Sequence, residues 1–247
     1  MNDWGRPLWI AHRGGGRAAP ENTLAAIHAG AAAGFRMVEF DVMLSRDGVP
    51  VLIHDDTLER TTDGRGAVAA HDFAALRRLD AGSWHGPAFA GEAIPTLGEA
   101  IDLLIGLDLD ANIEIKPAPG HARATGDTVA RMVAARWPAG RTLPLFSSFD
   151  FDALDAARAR APEVPRGLLF EAVPDDWRTQ MRALGAVSLH CDHSRLDAER
   201  LADIVGAGIP LLCYTVNQAD RAAALIAAGV RGLFTDCLDL PGQVAGC

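Results

Sequence analysis

Leu97-Gly-Glu-Ala-Ile-Asp-Leu-Leu-Ile-Gly106, followed by Ala111-Asn-Ile-Glu-Ile-Lys116, sets the rhythm on which the rest of the chain is built. The first piece reads as a helix and the second as a strand. The same alternation continues downstream, with helices over 124–137, 150–160, 175–184, 197–207 and 218–228 and strands over 143–147, 167–170, 186–191, 210–214 and 230–236. Gly185, Gly208 and Gly229 fall where helices should stop. Upstream, residues 8–11 read as a strand. A helix follows, with Asn22 as its N-cap, Leu24, Ile27 and Ala31 on one face, and Gly34 as its stop. Met37-Val-Glu-Phe-Asp-Val-Met-Leu44 is a further strand, and Val51-Leu-Ile53 a short apolar run ahead of His54-Asp-Asp56. Residues 57–95 break the rhythm. They are turn-rich, with one helical patch over 73–79, and read as an insertion that covers a site rather than supplying the core.

Roughly eight strands alternating with helices in a chain of 247 residues predict an α/β fold, a (β/α)8 barrel in one domain spanning 1–247 with 57–95 inserted. An open doubly wound sheet is the alternative. In a barrel the chemistry sits at the C-terminal ends of the strands. His12, Arg13, Glu39, Asp41, Glu114, Lys116 and Tyr214 all lie at or near such ends.

Composition narrows the function classes. The chain is 49% hydrophobic and 22% charged, as soluble globular proteins are, and its net charge of −9 argues against general binding to nucleic acid or a membrane surface. No apolar run is long enough to span a bilayer. Met1–Pro7 lacks the pattern of a signal peptide, which points to the cytoplasm. Cys191, Cys213, Cys237 and Cys247 have no CxxC spacing and read as free thiols of a reducing compartment.

The ionisable residues form a constellation. Glu39 and Asp41 are two apart on one strand, so both side chains leave the same face. With Glu114 they place three carboxylates in one barrel mouth, an arrangement that calls for a cation. Oxygen-only ligands favour Mg²⁺ or Ca²⁺ over zinc. The competing reading is separate structural ion pairs, with Lys116 or Arg36. His12 and His54 follow two strand-like runs and suit a base and an acid, against the blander reading of packed histidines. Arg13 and Lys116 suit a phosphate, Arg as a fork and Lys as a point charge, unless they merely pair with the carboxylates. Trp84 and Tyr214 offer rings to a substrate, although core packing is the commoner use of an aromatic. His28, His71, His85 and His121 read as surface residues, while His190 and His193 are left open. Gly14-x-Gly16-x-x-Ala19 matches a loose dinucleotide fingerprint. Pro20, where the phosphate-binding helix should run, and His12-Arg13 ahead of the first glycine argue against it.

His12-Arg-Gly, Pro20-Glu-Asn-Thr23, Glu39-x-Asp41, His54-Asp and Glu114-x-Lys116, with Ser147-Ser-Phe149, Tyr214-Thr-Val-Asn217 and Thr235-Asp236, give the chain a sequence that resembles the glycerophosphodiester phosphodiesterase family over essentially its whole length. Residues 9–66 and 112–117 look closest to the cytosolic bacterial branch linked to glycerol-3-phosphate uptake. The resemblance implies a TIM barrel with a small insertion after its second strand. It implies that Glu39, Asp41 and Glu114 hold one divalent cation, that His12 and His54 are general acid and base, and that Arg13 and Lys116 contact phosphate. Tyr214 would help to hold the glycerol. The implied reaction releases sn-glycerol 3-phosphate and an alcohol such as choline or ethanolamine, with water or the glycerol 2-hydroxyl as nucleophile. Phospholipase action on intact lipids, and a binding barrel without turnover, are the alternatives.

Overall fold

Residues 4–244 are described by a computed structural model of the chain. Met1 to Asp3, the start of the stretch read above as lacking a signal peptide, and Cys247 lie outside them. Eight parallel strands close on themselves: β1 (Trp9–Ala11), β2 (Met37–Leu44), β4 (Asp110–Ile115), β5 (Leu145–Ser148), β6 (Arg166–Phe170), β7 (Ser188–Asp192), β8 (Leu211–Tyr214) and β9 (Gly232–Thr235). β1 pairs with both β9 and β2, which completes the ring. Helices α1 (Leu24–Ala32), α3 (Leu97–Gly106), α4 (Ala122–Arg136), α5 (Phe151–Arg160), α6 (Trp177–Leu184), α7 (Ala198–Gly206) and α8 (Ala219–Ala227) run between the strands. This is the expected (β/α)8 TIM barrel, and the open doubly wound sheet is excluded.

Period-two alternation sorts the side chains. On β2, Val38, Phe40 and Val42 face outward into the layer shared with the helices, all of them fully buried. Burying a side chain of this kind contributes about 1.5–3 kcal/mol. Met37, Glu39, Asp41 and Met43 leave the other face. Low in the barrel that face is apolar, with Ile10, Met37, Leu145, Leu212 and Phe234 in one cluster. Toward the C-terminal rim it becomes polar. Helix α3 starts where Thr96 and Glu99 form a reciprocal capping box and packs Leu97, Ala100, Ile101 and Leu104 inward. No helix among the described residues is long and apolar enough to cross a membrane.

The short apolar run over 51–53 falls at β3 (Pro50–Leu52), which pairs antiparallel with the end of β2, Leu52 opposite Val42, and so stands outside the ring of parallel strands. A short turn separates the end of β2 from β3, Ser45 Oγ accepts from the Val49 N–H, and the chain folds back as a hairpin. Asn22 is not the N-cap of α1. Thr23 caps it by accepting from the Ala26 N–H, while Asn22 is spent on Asp41.

The segment between β3 and α3 includes the short helix α2 (Phe73–Leu76) and two single 3₁₀ turns. It has its own small apolar cluster, in which Leu58, Val68, Leu76, Ala81 and Ile94 pack on Met43, Val51 and Ile53.

Helices α4 and α5 approach so closely that a Cβ on Gly126 would sit 2.0 Å from the Ala153 carbonyl oxygen. Gly126→Ala should therefore destabilise the fold by about 1–3 kcal/mol in urea unfolding, despite alanine's better helix propensity. Gly98→Ala, whose Cβ would meet nothing nearer than Arg136 Cζ at 3.6 Å, should stabilise by about 0.4–1 kcal/mol. Equal effects at the two sites would contradict the packing described.

Candidate active site

Strand register assembles the carboxylates. Asp41 on β2 lies directly opposite Glu114 on β4, and Glu39 is one step below Asp41 on the same face. Each residue offers an oxygen within 4.8 Å of the others, and all three side chains are buried. Two are pinned. Glu39 Oε2 accepts from the Arg13 N–H at 2.9 Å. Asp41 exchanges two hydrogen bonds with Asn22: the Asn22 amide donates to Oδ2 at 2.9 Å and the Asp41 N–H donates to Asn22 Oδ1 at 3.0 Å. Glu114 Oε1, in contrast, is buried with no hydrogen-bond partner.

The electrostatics follow from this crowding. Burial, reinforced by Asp41 and Glu114, pushes the Glu39 carboxyl well above its ordinary value. Burial and Asp41 push Glu114 up to about 8. Burial also works against ionised Asp41, but Lys116, His54, Arg13 and the Asn22 amide outweigh it and hold that carboxyl below its ordinary value. A polar atom left unsatisfied among three converging carboxylates suits a divalent metal: hard oxygen donors are what such an ion takes, and its charge would relieve the repulsion.

Around the triad stand the other residues singled out from sequence. His12 leaves the end of β1, and its Nδ1 hydrogen-bonds Asp236 at 2.7 Å, while Nε2 lies 3.9 Å from Glu39. Asp236 is held in turn by the Asn217 amide at 2.9 Å. Gly16 lets the loop after His12 approach: its φ is +53°, and a Cβ would lie 2.3 Å from the Asp236 carbonyl oxygen. His54 follows β3, whose hairpin geometry brings the Ile53 N–H to the Asp41 carbonyl and so delivers His54 to the mouth. Its Nδ1 hydrogen-bonds Asp55 at 2.6 Å, and burial holds its pKa below the ordinary value. An ionised carboxylate accepts and cannot donate. Both histidines therefore carry hydrogen on Nδ1 and leave Nε2 for proton transfer.

Arg13 sits in the left-handed region at φ +52°, which costs a non-glycine residue about 1–3 kcal/mol. That turn aims its N–H at Glu39. Its guanidinium donates to Glu21 at 2.7 Å, while Nε is buried without a hydrogen-bond partner. Lys116 Nζ stands 3.6 Å from Asp41 and 3.9 Å from Glu114. The Tyr214 hydroxyl donates to the Phe170 carbonyl at 2.8 Å, and its ring meets Phe149 edge-on at 6.0 Å. The three carboxylates, His12, His54, Arg13, Lys116 and Tyr214 all line one cavity of about 260 Å³.

Some expectations land elsewhere. Arg36 pairs with Asp108, away from the triad. Trp84 is 42% exposed and lines an adjoining groove with Arg17, Glu21, His85 and Asp236 rather than the cavity itself. His193 is occupied by Arg221 and the Thr215 carbonyl. His190 does belong to the cavity: it is fully buried, bonded to Ser188 through Nε2, orphaned at Nδ1, and its pKa is pushed down to about 3 by burial, so it is neutral. Asp55 and Asp236, the partners of the two histidines, fall inside the sequence motifs but carry no role there. An aspartate beside a strand end is the only local signal for either.

The cavity gathers three crowded carboxylates, two histidines, an arginine and a lysine, a set of groups that suits a barrel hydrolase of the phosphate-ester class. The profile of the Glycerophosphoryl diester phosphodiesterase family matches residues 12–240. The glycerophosphodiester phosphodiesterase of Caldanaerobacter subterraneus subsp. tengcongensis is 35% identical, with 94% of each chain covered. A phosphodiesterase of Oleispira antarctica, solved in complex with the product sn-glycerol-3-phosphate, superposes with a TM-score of 0.91 at 39% identity over 96% of both chains. The glycerophosphodiester phosphodiesterase of Agrobacterium tumefaciens superposes with a TM-score of 0.81 at 26% identity, covering 97% of this chain and all of that one. The chain belongs to the glycerophosphoryl diester phosphodiesterase family, and it is an enzyme.

The raised carboxyl of Glu114 makes a prediction about pH. Between about 4.5, its ordinary value, and about 8, the folded metal-free protein keeps a proton that the unfolded chain has released. The folded state binds more protons in that window, so this group's contribution to stability falls as pH rises. A bound divalent ion displaces the proton. Calorimetric titration with Mg²⁺ or Ca²⁺ should show proton release and an affinity that rises from about pH 6 toward about pH 8. An affinity flat across that range would contradict the shift.

Proposed function

We propose that this enzyme hydrolyses small glycerophosphodiesters, such as glycerophosphocholine and glycerophosphoethanolamine, to sn-glycerol 3-phosphate and the free alcohol. The observation that carries the reading is the convergence of Glu39, Asp41 and Glu114 with His12, His54, Arg13 and Lys116 in one cavity. The product named for the Oleispira antarctica structure supports the same substrate class. We read residues 1–247 as a single domain with 57–95 as its insertion. We place the reaction in the cytoplasm: the described cysteines are free thiols, as suits a reducing compartment.

Glu39, Asp41 and Glu114 would hold one divalent cation, Mg²⁺ or Ca²⁺. When bound, it would neutralise phosphate charge and lower the pKa of a hydroxyl or water beside it. The chain's own residues do the rest. With the ion bound and all three carboxyls ionised, the triad, Arg13 and Lys116 would together carry one net positive charge, which a phosphodiester monoanion cancels. Arg13, whose Nε has no hydrogen-bond partner, and Lys116, as a point charge, orient the phosphate oxygens. One histidine takes a proton from the nucleophile through Nε2 as the new P–O bond forms. The other, protonated, gives its proton to the departing alcohol as the old P–O bond breaks. Asp236 and Asp55 fix the rings and stabilise the imidazolium. Tyr214 keeps its proton, since burial pushes the phenol up, and presents its ring to the glycerol.

Purified protein should release sn-glycerol 3-phosphate from glycerophosphocholine. No release from either that diester or the ethanolamine one would sink the substrate assignment. His12→Ala or His54→Ala should each reduce kcat by about 10²–10⁴ while leaving the circular dichroism spectrum and Tm near wild type. Near-normal rates in both variants would remove the acid–base pair.

A further inference from the structure

Arg13 and His54 are steadied by different carboxylates, Glu21 and Asp55. Both carboxylates are gripped by one guanidinium. Arg60 donates to Glu21 through Nη1 at 2.7 Å and Nη2 at 2.8 Å. It donates to Asp55 through Nε at 2.6 Å and Nη2 at 3.0 Å. A continuous chain of charge-assisted hydrogen bonds thus runs Arg13–Glu21–Arg60–Asp55–His54. Arg60 is not among the residues lining the cavity. It comes from the segment between β3 and α3, where its neighbour Leu58 is fully buried in the segment's own apolar cluster and the Thr62 N–H closes a turn onto the Leu58 carbonyl.

We propose that Arg60 is a positioning residue for hydrolysis, which by holding Glu21 and Asp55 together aims Arg13 at the phosphate and keeps hydrogen on Nδ1 of His54. The inference rests on the roles given above to Arg13 and His54. An isolated exposed ion pair would contribute almost nothing. This one differs in geometry: two bidentate grips on one planar fork fix both carboxylates in direction as well as distance. Two negative charges face two positive ones across the chain. Without Arg60, Glu21 would face Arg13 alone and compete with the substrate phosphate for it. Asp55, partly exposed, would be free to turn away from His54. Lysine would restore the charge but could not span both carboxylates.

The test compares wild type, Arg60→Ala and Arg60→Lys on glycerophosphocholine, with the His54 tautomer read separately from long-range ¹H–¹⁵N spectra. Arg60→Ala should lower kcat by about 10–100-fold, by analogy with loss of other groups that orient a working side chain, and raise KM several-fold. Its Tm should fall by at most about 2–4 °C, because the Arg60 side chain is 44% exposed and belongs to none of the apolar clusters. Arg60→Lys should recover only part of the loss. Guanidinium ion at millimolar concentration should raise the Arg60→Ala rate, whereas the same concentration of NaCl should not. His54 should be a single Nδ1–H tautomer in wild type and a mixture in Arg60→Ala. Unchanged kcat and KM in Arg60→Ala, or an unchanged His54 spectrum, would overturn the proposal. Inactive wild type would refute the proposed reaction, and the His54 spectrum would still decide the role of Arg60.

Discussion

Three carboxylates within 4.8 Å of one another, in a mouth where all three are buried, are the constraint around which this molecule is built. Register alone forces the crowding, since parallel pairing sets Asp41 against Glu114 and alternation sets Glu39 beside them. No apolar packing offsets that repulsion. The chain answers it piece by piece. A left-handed turn at Arg13 offers a backbone N–H to Glu39, Asn22 gives its whole amide to Asp41, and Lys116 and Arg13 bring positive charge. Glu114 is left with an unsatisfied oxygen. The charge and donor chemistry that remain unbalanced are those a hard divalent ion would satisfy.

Stability and chemistry occupy different levels of the same barrel. The lower interior and the layer between strands and helices are apolar, and they fix the strand ends. The strand ends and loops then carry the ionisable groups that line the cavity. Each histidine is backed by a carboxylate from its own side of the barrel mouth, Asp236 just beyond β9 and Asp55 just beyond β3. The β2–β3 hairpin is essential to the second of these. It turns the chain back so that His54 enters beside Asp41 rather than leaving with the strand direction. The segment between β3 and α3 packs Leu58, Val68 and Leu76 against Met43 of β2 and Val51 of β3, and that anchorage holds the turn that presents Arg60.

The barrel was legible because a period of two alternating with a period of 3.6 repeats through most of the chain, and glycines mark the helix ends. The carboxylates were legible because two ionisable side chains on one face of an apolar strand are costly to bury unless they share a cation. The direction of residues 51–53 was not legible, since three apolar residues carry no sign of whether they run parallel or back. Asn22 misled for a chemical reason: the side chain that makes a good cap also makes a good clamp for a carboxylate, and Thr23 beside it was free to cap. Asp236, Asn217 and the Arg60 grip on Glu21 depend on partners far apart in the chain, with no local spacing to reveal them. His190 reads as one more residue of a strand until the closed barrel turns it into the cavity.

The most direct test of the carboxylate site is hydrolysis of glycerophosphocholine by protein stripped with EDTA and then supplied with Mg²⁺ or Ca²⁺ in separate reactions. Activity should be lost on stripping, return with a divalent ion, and fail to return in Glu114→Gln. Full activity in the stripped protein would contradict the cation site, because the buried triad would then be working without the charge that its geometry demands.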